Sequence, residues 1–407
     1  MKLKHLTHAS LIAVSTSLVA VPAVQAGSDT ETKVKNSLKF ASEDGNFKFQ
    51  IGGRIMVDAA FYNEDNIDLD GEDGTEIRRG RLFVKGTMYK DWHWKAQYDF
   101  ASSDEIKDLY IRYTGWEPTR ITVGNFKQPA SLEELTSSKY ITFMERSLPN
   151  AFATGRRIGV MADHMRDHYT LAASVFGQDA NDNDAEGDEG FGFGGRATWA
   201  PVNTKGQVAH LGGWGAWEEA QDDENETIRF RARPESHITS TRLVNTGRID
   251  ADSKTSYGFE AAGVMGPFSL QGEYMRASVD RDGPDSDPDF TGWYVYGSYF
   301  LTGDSRVYKK GAFSRVKPNS VVGKGGYGAW ELAVRYSSLD LQDSNIDGGE
   351  SDNLTVGVNW YATPNIRFMA NYVRAASDPF AGSLEPKSPG ADDDDLDIFQ
   401  VRAQIDF

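Results

Sequence analysis

The chain has 407 residues and no cysteine, and 60 acidic against 43 basic residues give it a formal net charge of −17. The absence of cysteine excludes disulfide bridges, thiolate metal sites and thiol nucleophiles. So acidic a chain is also a poor partner for nucleic acid. Beyond residue 26 no run of 18 apolar residues occurs, which excludes helical membrane spans.

The first 26 residues have the pattern of a secretory signal peptide. Lys2 and Lys4 precede a short apolar stretch, and the small-residue sequence Val-Gln-Ala ends the segment at Ala26. The apolar stretch is too short to span a bilayer. We therefore predict a cleaved signal peptide at 1–26, an N-terminal segment at 27–46 and one β domain at 47–407.

From residue 47 onward, apolar and polar residues alternate with the period of two that is typical of β-strands. Between 92 and 100, for example, Trp92, Trp94 and Tyr98 share one parity, while Lys95 and Asp99 share the other. The mean hydropathy is low, but a membrane barrel has that property because its lipid-facing and lumen-facing residues alternate.

Sixteen such segments occur in the chain, and their number predicts a barrel. They span 47–62, 75–89, 92–101, 106–116, 119–127, 155–165, 168–178, 190–200, 206–217, 255–265, 267–278, 291–301, 326–338, 352–363, 364–376 and 396–407. Bacterial barrels have an even number of strands, and short turns that alternate with long outer loops. Here tight turns alternate with acidic loops, and the last strand ends in an aromatic residue, Phe407. We predict an all-β fold, a 16-stranded antiparallel transmembrane β-barrel, with a soluble β-sandwich as the alternative.

The segment at about 127–154 interrupts the strand rhythm without the acidic cluster of the other long loops. Ser131 followed by Glu134 has the spacing of a helix cap, which predicts a partly helical segment packed against protein. A loop folded into the lumen would narrow a wide barrel into a selective pore. An external surface loop is the alternative interpretation.

Arginines are clustered in two places. Arg229, Arg231 and Arg233 occupy every second position of an extended segment, so their side chains share one face. Facing lipid would cost about 2–4 kcal/mol for each of them, so we expect them to face water or the lumen as a row of donors for oxyanions. A solvated, salt-bridged strand is the alternative. In the second cluster Arg79 has the lumen parity, whereas Arg78 has the lipid parity and requires a rim position or a β-bulge.

No enzymatic constellation is recognisable, because the histidines are scattered and neither HExxH nor GxSxG occurs. The sequence predicts no catalytic residue, no cofactor and no metal site. Two segments, 66–71 and 343–348, begin like calcium loops, but Ile77 and Leu354 stand where the closing glutamate would be. Solvated acidic loops are the favoured interpretation of both segments.

Several stretches together resemble the phosphate-selective porins O and P. They include EIRRGRLFVKGTMYKDWHWKAQYDF, IKDLYIRY, RFRARPE, GWYVYGSYFLTGDSR, the terminal VRAQIDF and, as the most specific part, TSSKYITFMERS within the predicted infolded loop. The resemblance spreads over most of the mature chain. It implies an outer-membrane homotrimer of 16-stranded barrels, each with an infolded constriction loop, embedded in lipid and lipopolysaccharide.

The resemblance also implies an anion path. An arginine ladder would comprise Arg229, Arg231 and Arg233, and a central anion site would involve the following residues: Arg78, Arg79, Asp108, Ser138 and Lys139. Small inorganic or organic anions would then diffuse passively through an arginine- and lysine-lined constriction, with phosphate or polyphosphate as candidates.

Two features of the sequence keep other functions open. The outer loops are acidic, and Arg81 stands where a tyrosine is expected beside the site. A negative vestibule repels dianions within a Debye length of about 8 Å. A general or cation-preferring diffusion porin, or a surface barrel with an adhesive or structural role, is therefore the alternative.

Overall fold

The computed structural model describes residues 30–34, 38–64, 73–101, 105–181, 189–220, 227–281, 285–378 and 394–407. The predicted signal peptide lies outside these ranges, as does the first calcium-like segment at 66–71. In the described ranges, no helix is both long enough and apolar enough to cross a membrane.

Sixteen antiparallel strands close into a barrel, as predicted. In chain order β1 to β16 are Lys48–Glu64, Gly74–Met88, Trp92–Asp99, Glu105–Trp116, Thr119–Lys127, Arg156–Met165, Tyr169–Phe176, Gly192–Thr204, Gln207–Glu219, Ser253–Met265, Phe268–Asp280, Asp289–Phe300, Ala329–Asp343, Ile346–Tyr361, Ile366–Ser377 and Asp394–Asp406. Each strand pairs with the next, and β16 pairs with β1 from Asp406 opposite Arg54 to Leu396 opposite Glu64. The strand period alone therefore identified every barrel strand.

The barrel is inverted relative to a soluble protein, with apolar side chains outside and polar ones inside. On β13, Leu332 is 42% and Val334 51% exposed, whereas the flanking lumen-facing residues Glu331 and Arg335 are 0% and 1% exposed. A soluble sandwich buries its apolar face instead. The exposed apolar band is what a barrel presents to lipid, so the β-sandwich alternative is wrong.

The seam between the last and the first barrel strand involves the carboxy-terminal residue and continues into two short strands that precede β1. Phe407 exchanges backbone hydrogen bonds with Gly53 of β1, with N to O distances of 2.9 and 3.1 Å. Just beyond it, the N-terminal strand Leu38–Ser42 pairs with β1, and Thr30–Val34 pairs with Leu38–Ser42 in turn. The predicted N-terminal segment thus extends the sheet below the carboxy-terminus.

Three connections among the described residues fold inward. The infolded loop, residues 128–155 between β5 and β6, contains the helix α1 at Leu132–Leu135 and a 3-10 helix at Leu148–Phe152. The connection from β9 to β10 contains two short ladders, Thr227–Ile228 with Ile249–Asp250 and Arg231–Ala232 with Val244–Asn245. The third is a hairpin of Val307–Lys309 and Ala312–Ser314 between β12 and β13, which was not predicted from the sequence.

Candidate functional site

The infolded loop is fastened to the barrel wall through the start of α1. The Ser131 hydroxyl accepts a hydrogen bond from the Glu134 backbone N–H at 3.1 Å, so the capping prediction is confirmed. Glu273 of β11 accepts from the backbone N–H groups of Leu132 and Glu133 at 3.0 and 2.8 Å. A carboxylate is well placed there because it satisfies N–H groups that have no partner within the helix.

Arginines of the opposite wall hold the rest of the loop. Arg335 of β13 donates to the Glu145 carbonyl at 3.0 Å and pairs with Glu133 at 3.5 Å. Arg367 of β15 donates to the carbonyls of Ile141 and Thr142 at 2.7 and 2.8 Å. These contacts reach across the lumen from β5 and β6, so the loop divides the lumen, and the external-loop alternative is wrong.

Between the infolded loop and the wall formed by β1 to β6 lies a cavity of about 330 Å³, here called the cationic cavity. In the described part of the chain its lining carries nine cationic side chains: Arg54, Arg79, Arg81, Lys95, Arg112, Arg120, Lys127, Arg146 and Arg156. Two carboxylates, Asp108 and Glu134, belong to the same lining, and three more pair with its cations from outside it: Asp99 with Arg81, Asp163 with Arg120 and Glu145 with Arg79. A chain with a net charge of −17 therefore concentrates positive charge at this point.

The register of β1 against β2 explains how two consecutive arginines reach the lumen. Met56 pairs with Arg79 and the next residue, Val57, pairs with Ile77, so Arg78 is the extra residue of a bulge. The Nε and Nη2 atoms of Arg78 donate hydrogen bonds to the Glu145 carboxylate of the infolded loop at 2.8 and 2.9 Å, which forms a bidentate pair. The predicted bulge is thus confirmed, because Arg78 departs from the lipid parity.

Arg79, Asp108 and Ser138, three of the predicted central residues, line the cationic cavity. Ser138 accepts a hydrogen bond from the Arg54 guanidinium at 2.6 Å. Arg79 is 4% exposed, its Nη1 donates to the thioether of Met56 at 3.6 Å, and its Nε has no partner among the described residues. A sulfur acceptor is weak and uncharged, so the Glu145 carboxylate, 3.7 Å away, is the main compensation for the Arg79 charge among the described residues.

Asp108 accounts for much of the negative charge in the cavity. It accepts from Arg156 at 2.9 Å and from Lys95. One carboxylate is thereby shared between two cations, which leaves the group as a whole positive. Glu134 behaves in the same way toward Lys127 and Arg146, and although burial opposes ionisation, these two cations lower the pKa of Glu134 to about 2.

Lys139, predicted in the same site, lies beside the cationic cavity and not in its lining. Its ammonium is 3.5 Å from Asp406 of β16 and 5.3 Å from the centre of the Tyr140 ring. Burial lowers the pKa of Lys139 to about 8, since the attraction of Asp406 is opposed by Arg54 and Arg315. This lysine therefore changes charge within an accessible pH range.

The arginine ladder lies within the connection from β9 to β10. Ile228, Phe230 and Ala232 alternate with the three arginines and are buried against lumen-facing apolar residues of the barrel wall. The arginines occupy the other face, with Arg229 and Arg231 exposed. A fourth cation, Arg242, was not predicted, and burial together with the three ladder guanidiniums lowers its pKa to about 10.

The ladder leads toward the bulge. Burial and the nearby charge of Arg78 lower the pKa of Arg233, while Glu76 and Glu145 act in the opposite direction. Arg233 is thus the ladder member within electrostatic reach of Arg78 and Glu145. The inner end of the ladder and the bulge are therefore coupled electrostatically.

A second cavity, of about 530 Å³, continues from the cationic cavity toward the N-terminal strand. Six cations occur in its lining: Lys39, Lys48, Lys85, Lys95, Arg112 and Arg120. No carboxylate belongs to the described lining. Lys95, Arg112 and Arg120 border both cavities, so the positive surface is continuous between them.

The unanticipated hairpin supports the infolded loop from its other side. The Phe313 backbone N–H donates to the Thr136 hydroxyl at 3.3 Å, and Arg315 pairs with Asp406, the partner of Lys139. Tyr308 lies 2.6 Å from His210 of β9. The inward connections therefore contact one another as well as the wall.

Most of the cations in the cavity were not predicted as site residues, although their parity in the sequence already indicated that they face the lumen. Arg54, Lys95 and Arg112 all share the lumen parity of their strands. What parity cannot provide is their depth in the barrel, which depends on register.

The second calcium-like segment forms the tight turn between β13 and β14, where Ser344 has a positive φ of 57°.

Comparison with protein families and relatives agrees with this architecture. The family model described as phosphate-selective porin O and P matches residues 49–407. The chain is 30% identical over 448 residues to "Porin O" of Pseudomonas aeruginosa, covering 97% of both chains. It is 33% identical over 400 residues to an uncharacterized protein of Caulobacter vibrioides, covering 95% of this chain and 79% of that one.

Solved structures share the fold at low sequence identity. An anion-selective porin from Comamonas acidovorans superposes with a TM-score of 0.58 at 13% identity, covering 89% of this chain and all of that one. OmpT of Vibrio cholerae gives 0.56 at 12% identity, covering 89% and 98%. The chain is therefore an outer-membrane porin and belongs to the phosphate-selective porin O and P family.

Proposed function

We propose that this porin conducts small anions by passive diffusion and that the cationic cavity is its selectivity site. The observation that carries the proposal is the lining of that cavity, where nine cations outnumber the two carboxylates of the lining and the three that pair with its cations from outside. Within a narrow passage of low dielectric constant, such an excess of positive charge favours anions and excludes cations. The reaction class is transport without a covalent step.

The proposed path begins at the arginine ladder, Arg229, Arg231 and Arg233, which would collect anions from the outer mouth. It continues past Arg78 to the central residues Arg79, Asp108 and Ser138, with Lys139 contributing charge from the side. Guanidinium groups suit this role because their planar donors match the oxygens of carboxylate, sulfate and phosphate. The lysines of the second cavity would then pass the anion onward.

Phosphate and polyphosphate are the candidate substrates that family membership suggests. The first experiment measures reversal potentials of single channels in a potassium chloride gradient, and we expect an anion-sided value. A cation-sided reversal would favour the alternative of a general or cation-preferring porin, and absence of conductance would favour an adhesive or structural barrel. Competition of phosphate, pyrophosphate and organic acids against the chloride current then ranks the substrates.

We also propose that the protein is a homotrimer in contact with lipid and lipopolysaccharide. The exposed apolar band around the barrel supports contact with lipid, and one related fold, OmpT of Vibrio cholerae, is described in a trimer form. Light scattering of the detergent-solubilised protein should give three times the monomer mass. A monomer mass in several detergents would contradict this assembly.

A further inference from the structure

Glu145 of the infolded loop lies against the bulge, beside Arg79 of the cationic cavity. Its carboxylate accepts two hydrogen bonds from Arg78, at 2.8 and 2.9 Å, and one from Arg402 at 2.7 Å. Arg79 approaches the same carboxylate to 3.7 Å. Three guanidiniums therefore converge on one carboxylate, which is the arrangement that an oxyanion in transit would itself require.

Arg402 does not depend on Glu145 for charge balance. Asp58 accepts two hydrogen bonds from Arg402, at 2.7 and 2.6 Å, in a second bidentate pair. Arg78 and Arg79 have no other carboxylate among the described residues. The single negative charge of Glu145 therefore faces the two positive charges of Arg78 and Arg79. The net positive charge that remains attracts an anion.

The Glu145 carboxylate is ion-paired but remains partly accessible to solvent. Its side chain is 15% exposed, and that of Arg78 is 13% exposed, so water and small ions reach the pair. Although burial opposes ionisation, Arg78, Arg79 and Arg402 hold the pKa of Glu145 well below its usual range. The Glu145 carboxylate is therefore ionised at neutral pH.

We propose that Glu145 is a tethered competitor that occupies the oxyanion position on Arg78 and Arg79 and that a permeating polyoxoanion must displace. This inference rests on the proposed anion transport. Without such a competitor, two arginines with few other acceptors would hold a dianion tightly and slow its release. By weakening that binding, Glu145 allows rapid passage, since conduction needs a site that an ion can both enter and leave.

The test uses inorganic sulfate, a dianion that does not titrate near neutral pH, as the competitor of chloride current in planar bilayers. The variant Glu145→Gln retains an oxygen acceptor but removes the charge. We expect the sulfate concentration for half-maximal block to fall about tenfold, and the sulfate dwell time to lengthen.

Glu117→Gln is the control. Glu117 carries the same charge, but it is exposed in the turn between β4 and β5 and forms no ion pair with the arginines of the bulge among the described residues. We expect the half-block concentration of this variant to equal that of the wild type. If Glu145→Gln and Glu117→Gln shift the value equally, or neither shifts it, Glu145 is not a competitor. A wild-type channel without anion selectivity would instead overturn the proposed function.

A second measurement uses the unaltered protein and so does not depend on the variant folding. Crystals of the wild-type porin are soaked in selenate, whose selenium is located by anomalous scattering. We expect selenate against Arg78 and Arg79, with the Glu145 carboxylate turned away from Arg78. A bidentate Arg78 to Glu145 pair that persists while selenate binds elsewhere would overturn the inference.

Discussion

The two sides of the lumen use charged residues for different purposes. On the cationic wall, β1 to β6, other cations such as Arg81 are ion-paired, but among the described residues Arg54 donates a hydrogen bond only to the Ser138 hydroxyl, and Arg79 meets only a thioether and the Glu145 carboxylate at 3.7 Å. On the packed wall, β10 to β16, Arg335 and Arg402 are buried. They donate hydrogen bonds to loop carbonyls and form ion pairs with carboxylates. A guanidinium with few partners in the protein can bind a ligand, whereas a guanidinium that is paired with carboxylates and loop carbonyls holds a loop in place.

This difference separates stability from selectivity within one barrel. Breaking a buried pair leaves an uncompensated charge and destabilises the fold strongly. Altering a cation that faces an open cavity changes the local potential with a smaller structural cost. Substitutions on the packed wall should therefore disturb the position of the infolded loop, and those on the cationic wall should disturb the choice of ion.

The largest effect is expected for Arg335→Ala on the packed wall. Arg335 is 1% exposed and pairs with Glu133 and Glu235, so its removal leaves two buried carboxylates without their cation. We expect the free energy of unfolding to fall by about 3–5 kcal/mol, measured by urea titration of the protein in lipid vesicles. Arg112→Ala, which loses a hydrogen bond to Thr122, is the control and should lose about 1 kcal/mol. Equal losses in both variants would remove the distinction between the walls.

The next effect is expected for Lys139→Glu, which brings a carboxylate to the edge of the cationic cavity beside Asp406. We expect anion preference to be lost, with the chloride to potassium permeability ratio falling about tenfold. Reversal potentials in a salt gradient provide the measurement. Lys139→Arg is the control and should retain the wild-type ratio. Unchanged selectivity in Lys139→Glu would remove this residue from the proposed site.

A smaller effect follows from the pKa of Lys139, which is about 8 because the side chain is buried. The lysine is cationic below that pH and loses its proton as the pH rises through it. Chloride conductance should therefore fall to about half between pH 7 and pH 9.5 if this one charge attracts the ion. Lys139→Arg should show a flat profile over the same range, and a falling profile in that variant would assign the titration to another group.

The smallest effect is expected for Arg231→Ala in the arginine ladder. Arg231 is exposed, and it acts with the nearby cations Arg229, Arg233 and Arg242. We expect chloride conductance to fall by about a quarter in 0.1 M salt and to be unchanged in 1 M salt, where the Debye length is about 3 Å. A loss that persists in 1 M salt would indicate a structural role for Arg231.

The strands could be predicted from sequence because a period of two is a local property. All sixteen segments correspond to barrel strands, and the Ser131 cap and the bulge at Arg78 also followed from neighbouring residues. The cationic cavity could not be assembled in this way. Arg54, Arg112 and Arg156 meet only because strand register and the infolded loop bring them to one depth.

Two further features were beyond local reasoning. The hairpin at Val307–Lys309 and Ala312–Ser314 turns inward because Tyr308 and Phe313 pack in the lumen, and their partners are distant in sequence. Lys139 lies outside the cavity lining, where its ammonium forms an ion pair with Asp406 near the end of the chain. The resemblance named Lys139 but could not supply that contact.

The most direct test of the central claim is the location of a bound anion. Crystals of the wild-type porin are soaked in bromide, which scatters anomalously and binds wherever unpaired positive charge is accessible. We expect the strongest peak within the cationic cavity, close to Arg54 and Arg79, and none beside Arg335 or Arg402 on the packed wall. Bromide bound on the packed wall, or confined to the outer loops, would contradict the account.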